Sequence, residues 1–117
     1  MKTVQLGSKK IGLKATPLAL LFYKQEFGSD LVTDLIELSK AEMDLSKLDF
    51  VVLLQLVWAM NRTYTGPGKQ FPNFEEWLAQ FDSMNLDDEQ FYLDVLEEAE
   101  HGFFRGVTSG GPKPPAK

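Results

Sequence analysis

The chain has no cysteine and a single histidine in 117 residues. Without thiols, neither a disulfide framework nor a thiolate metal site can form, and the redox compartment is left open; a metal would depend on carboxylates and His101. No apolar stretch reaches the ~20 residues that a bilayer-spanning helix requires. The longest, Leu48 to Met60, stops at Asn61-Arg62, so it reads as a core helix with no membrane partner. Met1 to Lys14 lacks the apolar segment of a signal peptide, and the protein is expected to stay in the cytoplasm. Basic side chains are the minority, twelve against seventeen acidic for a formal charge of −5. Because affinity for nucleic acid comes mainly from Lys and Arg neutralising phosphates, that balance disfavours a nucleic-acid partner.

Catalytic signatures are also missing. No Gly-x-Ser-x-Gly elbow occurs, and neither Gly66-Pro67-Gly68 nor Gly110-Gly111 precedes the Lys-Ser or Lys-Thr of a phosphate loop. His101 falls near a helix C-terminus, where the dipole suits a partly charged imidazole, and that structural role is preferred to a catalytic one. The carboxylates Asp87, Asp88 and Glu89 sit at a helix start, and Glu97, Glu98 and Glu100 sit on a helix face with no spaced histidine. They read as caps and solvated charge. No catalytic, cofactor-binding or metal-ligating residue is therefore assigned.

What is present is an ordinary globular composition, 44% hydrophobic and 25% charged, at the commonest domain length. The expected fold is mainly α, a small bundle of about five helices with an N-terminal β-hairpin. Residues 1–105 form a single domain and 106–117 a flexible Gly/Pro-rich tail. Lys2-Thr3-Val4-Gln5-Leu6 and Lys10-Ile11-Gly12-Leu13-Lys14 alternate about Gly7-Ser8-Lys9 as a hairpin does, with Val4, Leu6, Ile11 and Leu13 on one face. Thr16-Pro17 opens a helix that Gly28 stops, with Leu20, Tyr23 and Phe27 stacked and Leu21 beside them. Ser29 or Asp30 caps a second, whose rows are Leu31, Leu35, Leu38 and Val32, Ile36.

The run Leu48 to Met60 is apolar almost all round and is expected to be the buried centre, with Leu54 in the core. Ser46 caps it, Asp49 stands at the third position, and Leu45 and Phe50 form a hydrophobic staple. A long loop, Asn61 to Asn73, follows. Asn73 then caps a short helix bearing Phe74, Trp77, Leu78 and Phe81. The last helix, about Asp88 to Glu100 or a turn longer, is capped by Asp87 with Gln90 third and Leu86 stapled to Phe91. It packs through Tyr92, Val95, Leu96, Ala99 and Phe103. Charge is uneven: Met1 to Lys14 carries four lysines and no acid, Asp82 to Glu100 eight acids and no base.

Aromatic residues outside the core helix are in surplus. For Trp77 and Phe81 the core is the favoured place. Tyr64, Phe71, Phe103 and Phe104 flank flexible segments, where aromatic anchors suit an interaction surface. Tyr64, Phe71, Phe74, Trp77, Phe103 and Phe104 are the candidate partner-binding residues.

The strand pair ending in Lys10-Ile11-Gly12-Leu13-Lys14, the helix Pro17 to Gly28, the run Leu48 to Met60 and then Phe74-Glu75-Glu76-Trp77-Leu78 together resemble, in order and pattern, the tail assembly chaperones of long-tailed bacteriophages and prophages of Gram-positive hosts. The resemblance spans Lys2 to Phe104. It implies a small, mostly helical, non-enzymatic protein of the host cytoplasm, absent from the finished virion. Such a protein keeps the tape measure protein soluble and helps recruit tail tube subunits, with self-association. The alternative is a small helical regulator binding nucleic acid or another protein. An enzyme using carboxylate-bound metal is a third reading.

Overall fold

A computed structural model describes residues 1–40, 46, 48–84 and 88–104. Two strands, β1 (Lys2–Leu6) and β2 (Lys9–Leu13), precede five helices: α1 (Pro17–Phe27), α2 (Leu31–Ser39), α3 (Phe50–Thr65), α4 (Phe74–Leu78) and α5 (Glu89–Phe103). This is the mainly helical architecture with an N-terminal hairpin that the sequence predicts. The expected tail, 106–117, and Leu45, Leu86 and Asp87 with their proposed staple and cap roles lie outside the described residues.

The hairpin is antiparallel, with Val4 opposite Ile11 and Leu6 opposite Lys9 across a two-residue turn. Gly7 takes φ 63° there, a conformation that costs a glycine nothing. Val4, Leu6 and Leu13 are buried and Ile11 partly so, so the apolar face lies on the helices as alternation demands. A two-stranded ribbon is marginal alone; here β2 packs on α3 and β1 on α5.

The helix starts show how caps select boundaries. Thr16 occupies the cap position of α1 without a side-chain bond, and Pro17 supplies the first residue. Gly28 ends the helix in the left-handed conformation (φ 69°), its N–H returning to Lys24 O. Asp30, rather than Ser29, caps α2 by accepting from Thr33 N at 2.9 Å; Ser29 donates to Asp34 instead. At α3 the cap is Asp49, not Ser46: its Oδ1 accepts from Val51 N and Val52 N at 3.1 and 3.2 Å. That shift moves the staple positions to Leu48 and Leu53, both buried. Asp88 caps α5 by accepting from Phe91 N, one residue later than Asp87, and Gln90 bonds forward to Asp94. Asn73 caps α4 as expected.

Helix α3 is central, with Leu56 to Met60 all buried. It does not stop at Asn61 as its apolar run does. Polar residues carry it to Thr65, and two of them find partners inside: Asn61 spans Gly12 O and the Trp77 indole, and Thr63 bonds back to Ala59 O. The Arg62 guanidinium lies 4.1 Å from the Phe22 ring centroid. The loop is therefore 66–73, shorter than the pattern implied. Two further corrections concern faces. Helix α1 packs through Ala19, Phe22 and Tyr23 and turns Leu21 outward at 51% exposure. Leu54 is only partly buried, while Leu53 and Leu56 are at 1%. Both helices are apolar on nearly every side, so periodicity alone could not choose the inward face.

Candidate interaction surface

Seven rings, from Tyr23 on α1 to Phe81 beyond α4, form one connected run. Phe27 meets Tyr23, Trp58 and Phe74 edge-on with centroids 4.9, 5.4 and 5.0 Å apart. Trp58 meets Phe71 at 6.1 Å, and Phe74 stacks on Trp77, which meets Phe81 edge-on at 4.8 Å. Offset and edge-on pairs of this kind add to what burial alone contributes. Both indoles satisfy their N–H groups, Trp58 on Pro72 O and Trp77 on Asn61 Oδ1, each at 3.0 Å. Glu26 reaches over from α1 to accept the Phe74 N–H at 2.8 Å, tying α4 to α1.

This places the sequence-predicted residues unequally. Trp77 is 2% exposed and belongs to the core. Phe71 and Phe74 are partly buried, their inner faces spent on Trp58, Phe27 and Trp77. Phe103 and Phe104, at the end of α5, are also partly buried against the core. Tyr64 stands apart at 47% exposure, its ring lying over Gly12 so closely that a Cβ there would come within 2.5 Å of it. Absence of a side chain at Gly12 is what lets the tyrosine clasp the hairpin from outside.

Exposed apolar side chains appear elsewhere: Leu21 on α1 and Ile36 on α2, which the sequence pattern set beside or in an apolar row, and Val51 on α3 and Leu93 on α5, which it assigned to none, all between 38% and 56% exposed. The signal that could have found them is excess. A helix packed on one side needs an apolar arc of roughly 100° or somewhat more, and α1 and α3 carry apolar residues well beyond it.

Ionisable groups gather at the open end of the hairpin, in a cleft of about 600 Å³ whose walls include Lys2, Lys14, Glu97, Glu98 and His101. Glu98 is 8% exposed and divides its carboxylate between the Ala15 N–H and the Met1 ammonium, both at 3.1 Å. Glu97 pairs with Lys2; that hydrogen bond lowers the Glu97 pKa and raises that of Lys2. The two carboxylates are thus engaged in holding the hairpin to α5. His101 occupies the last turn of α5 and is exposed, the position its dipole reading predicts. Among the described residues no group of three His, Asp or Glu side chains could hold a metal ion, and no helix is long and apolar enough to cross a membrane.

No protein-family model, curated protein or solved structure matches the chain.

Proposed function

We propose that the chain is a non-enzymatic tail assembly chaperone of the long-tailed phage type. In this reading it binds the tape measure protein in the host cytoplasm, keeps it soluble and helps recruit tail tube subunits. The observation that carries the reading is the apolar surface left over after the core has closed. Leu21, Ile36, Val51, Tyr64 and Leu93 remain exposed on four helices outside the buried core cluster. Single exposed apolar residues are commonplace, but several on an acidic bundle suit weak, repeated grips on apolar helices of a client. Many copies along one long client then give strong retention through effective concentration. The order-and-pattern resemblance described above supplies the identity of that client.

The test is co-expression with the tape measure protein encoded beside the tube gene. The expected outcome is a soluble complex that co-elutes on size exclusion, with the client insoluble when expressed alone. Substituting Leu21, Val51 and Leu93 together by serine should leave the chaperone folded and return the client to the pellet. A client that stays insoluble beside the folded wild-type protein, or salt-dependent retention of the chain by DNA, would sink the proposal.

A further inference from the structure

We propose that the outer edge of β1, with the trough beside it, takes an extended basic segment of a partner protein as a third strand. The inference rests on hairpin geometry and is independent of the chaperone reading. In a hairpin closed by a two-residue turn, the flanking pair Leu6 and Lys9 exchanges both backbone bonds, so Val4–Ile11 and Lys2–Leu13 do the same. Thr3 and Gln5 on β1, like Gly12 on β2, must then point their N–H and C=O groups outward. On β2 that outward edge is engaged toward its far end: Asn61 Nδ2 donates to Gly12 O at 2.9 Å, and Lys14 N donates to Met60 O at 3.1 Å. Among the described residues no hydrogen bond beyond the β1–β2 ladder reaches the Thr3 or Gln5 backbone, and both residues are exposed. The register runs without a bulge and the strand contains no proline, so the usual protections of an open edge are missing. Lys2 on the same strand is held by Asp94 and Glu97.

A trough follows this edge. Three depressions of about 230, 350 and 310 Å³ share walls in turn, the first two through Leu6 and Met84, the last two through Gln5 and Phe91. At the hairpin tip the lining includes Leu54, Leu78 and Phe81 beside Asp82; alongside β1 it carries Asp88, Gln90 and Asp94 with one lysine, Lys10. Asp82, Asp88 and Asp94 succeed one another along the trough, against Lys10 alone among the described lining residues, so the floor beside the free edge is a net acidic stripe. The stripe decides the occupant. A second copy pairing β1 with β1 about a two-fold axis would set two such stripes against each other. A partner strand bearing Lys or Arg meets opposite charge instead, gains up to four backbone bonds from Thr3 and Gln5, and can set an apolar anchor between Leu54 and Phe81.

The test uses a fluorescein-labelled peptide of alternating valine and lysine with leucine at one end, and its glutamate counterpart. Fluorescence anisotropy should show saturable binding of the lysine peptide only, weakened about tenfold by Thr3→Pro or Gln5→Pro. Each substitution deletes an outward N–H that the β1–β2 ladder does not use. In the unaltered protein, saturation with the lysine peptide should slow hydrogen exchange at the Thr3 and Gln5 amides, a readout that survives if either proline variant fails to fold. Equal binding of the glutamate peptide, no binding up to about 1 mM, or binding that leaves those two amides unprotected would overturn the proposal. So would dimerisation of the chain alone that Gln5→Pro abolishes, since the edge would then belong to a second copy.

Discussion

Asn61 does at one residue what the apolar pattern assigned to a chain break. Its amide donates to Gly12 O and accepts from the Trp77 indole, joining the hairpin, α3 and α4 at a single side chain. Leucine fills a similar volume but can satisfy neither partner, and an unpaired buried polar group costs about 1–3 kcal/mol. Asn61→Leu is therefore expected to lower stability by about 2–3 kcal/mol in urea denaturation. In a Trp77→Phe background, where no indole N–H remains to be orphaned, the same substitution should cost distinctly less. Equal costs in the two backgrounds would mean that the Asn61–Trp77 bond contributes nothing. The sequence signal was ambiguous here for a physical reason: polarity at Asn61 looks the same whether the residue faces water or completes an internal hydrogen-bond pair.

At the scale of the helix, the start of α4 was legible because one capping residue, Asn73, stood in one possible frame, and that of α2 nearly so, because its two candidates, Ser29 and Asp30, are adjacent. The start of α3 was not, because Ser46 and Asp49 each make a plausible cap three residues apart. The structure resolves it through burial, since Leu48 at 8% exposure must turn inward before the helix begins. Asp49→Ala should cost about 1 kcal/mol, with Asp49→Asn recovering most of it; a neutral Asp49→Ala in thermal denaturation would return the cap to Ser46. The buried face of the hairpin was read correctly because a period of two leaves one face to bury, although Lys9, expected in the turn, already belongs to β2; α1, apolar through its first seven residues, left its inward face open. The candidate surface was less legible still, since exposure of a ring depends on neighbours that arrive from distant parts of the chain.

Helices α1, α2 and α3 also share a polar junction. The fully buried Tyr23 donates its hydroxyl to Asp34 Oδ2 at 2.7 Å and lies 3.1 Å from Gln55 Oε1, while Ser29 donates to the same Asp34 oxygen. Burial, then the Asp34 carboxylate, push the Tyr23 pKa well above its ordinary 10.0. A raised folded-state pKa means that this stability is fully present below the unfolded value and is lost as pH rises from there through the folded one. Stability should therefore fall above about pH 10, and Tyr23→Phe should flatten that alkaline fall in melting temperature while costing some stability at neutral pH. At the acid end the sign reverses. Asp30, held low chiefly by the Thr33 N–H, and Glu97, held low by Lys2, contribute stability that is lost as pH drops through their lowered values.

Across the whole molecule, the two ends of the described chain close on each other. Helix α5 brings Glu98 to the Ala15 N–H and the Met1 ammonium, and seats Gly102 against Ala15 so tightly that a Cβ would stand 2.1 Å from the Ala15 carbonyl oxygen. Tyr92 adds a bond to Leu38 O at 2.7 Å, so α5 also clamps the end of α2. The hairpin, marginal by itself, should then unfold only with the bundle. Glu98→Leu leaves the Ala15 N–H without its acceptor and is expected to cost about 2–3 kcal/mol. Glu98→Gln keeps an acceptor and loses only the pairing with an exposed ammonium, for about 1 kcal/mol or less. Urea unfolding followed by tryptophan fluorescence, which reports Trp58 and Trp77 in the aromatic run, and by far-ultraviolet circular dichroism should give coincident transitions that move together in both variants. If Glu98→Leu instead splits the two probes, the hairpin is coming away before the helices, and the closure of α5 on the N-terminal strands does not bind the fold into one cooperative unit.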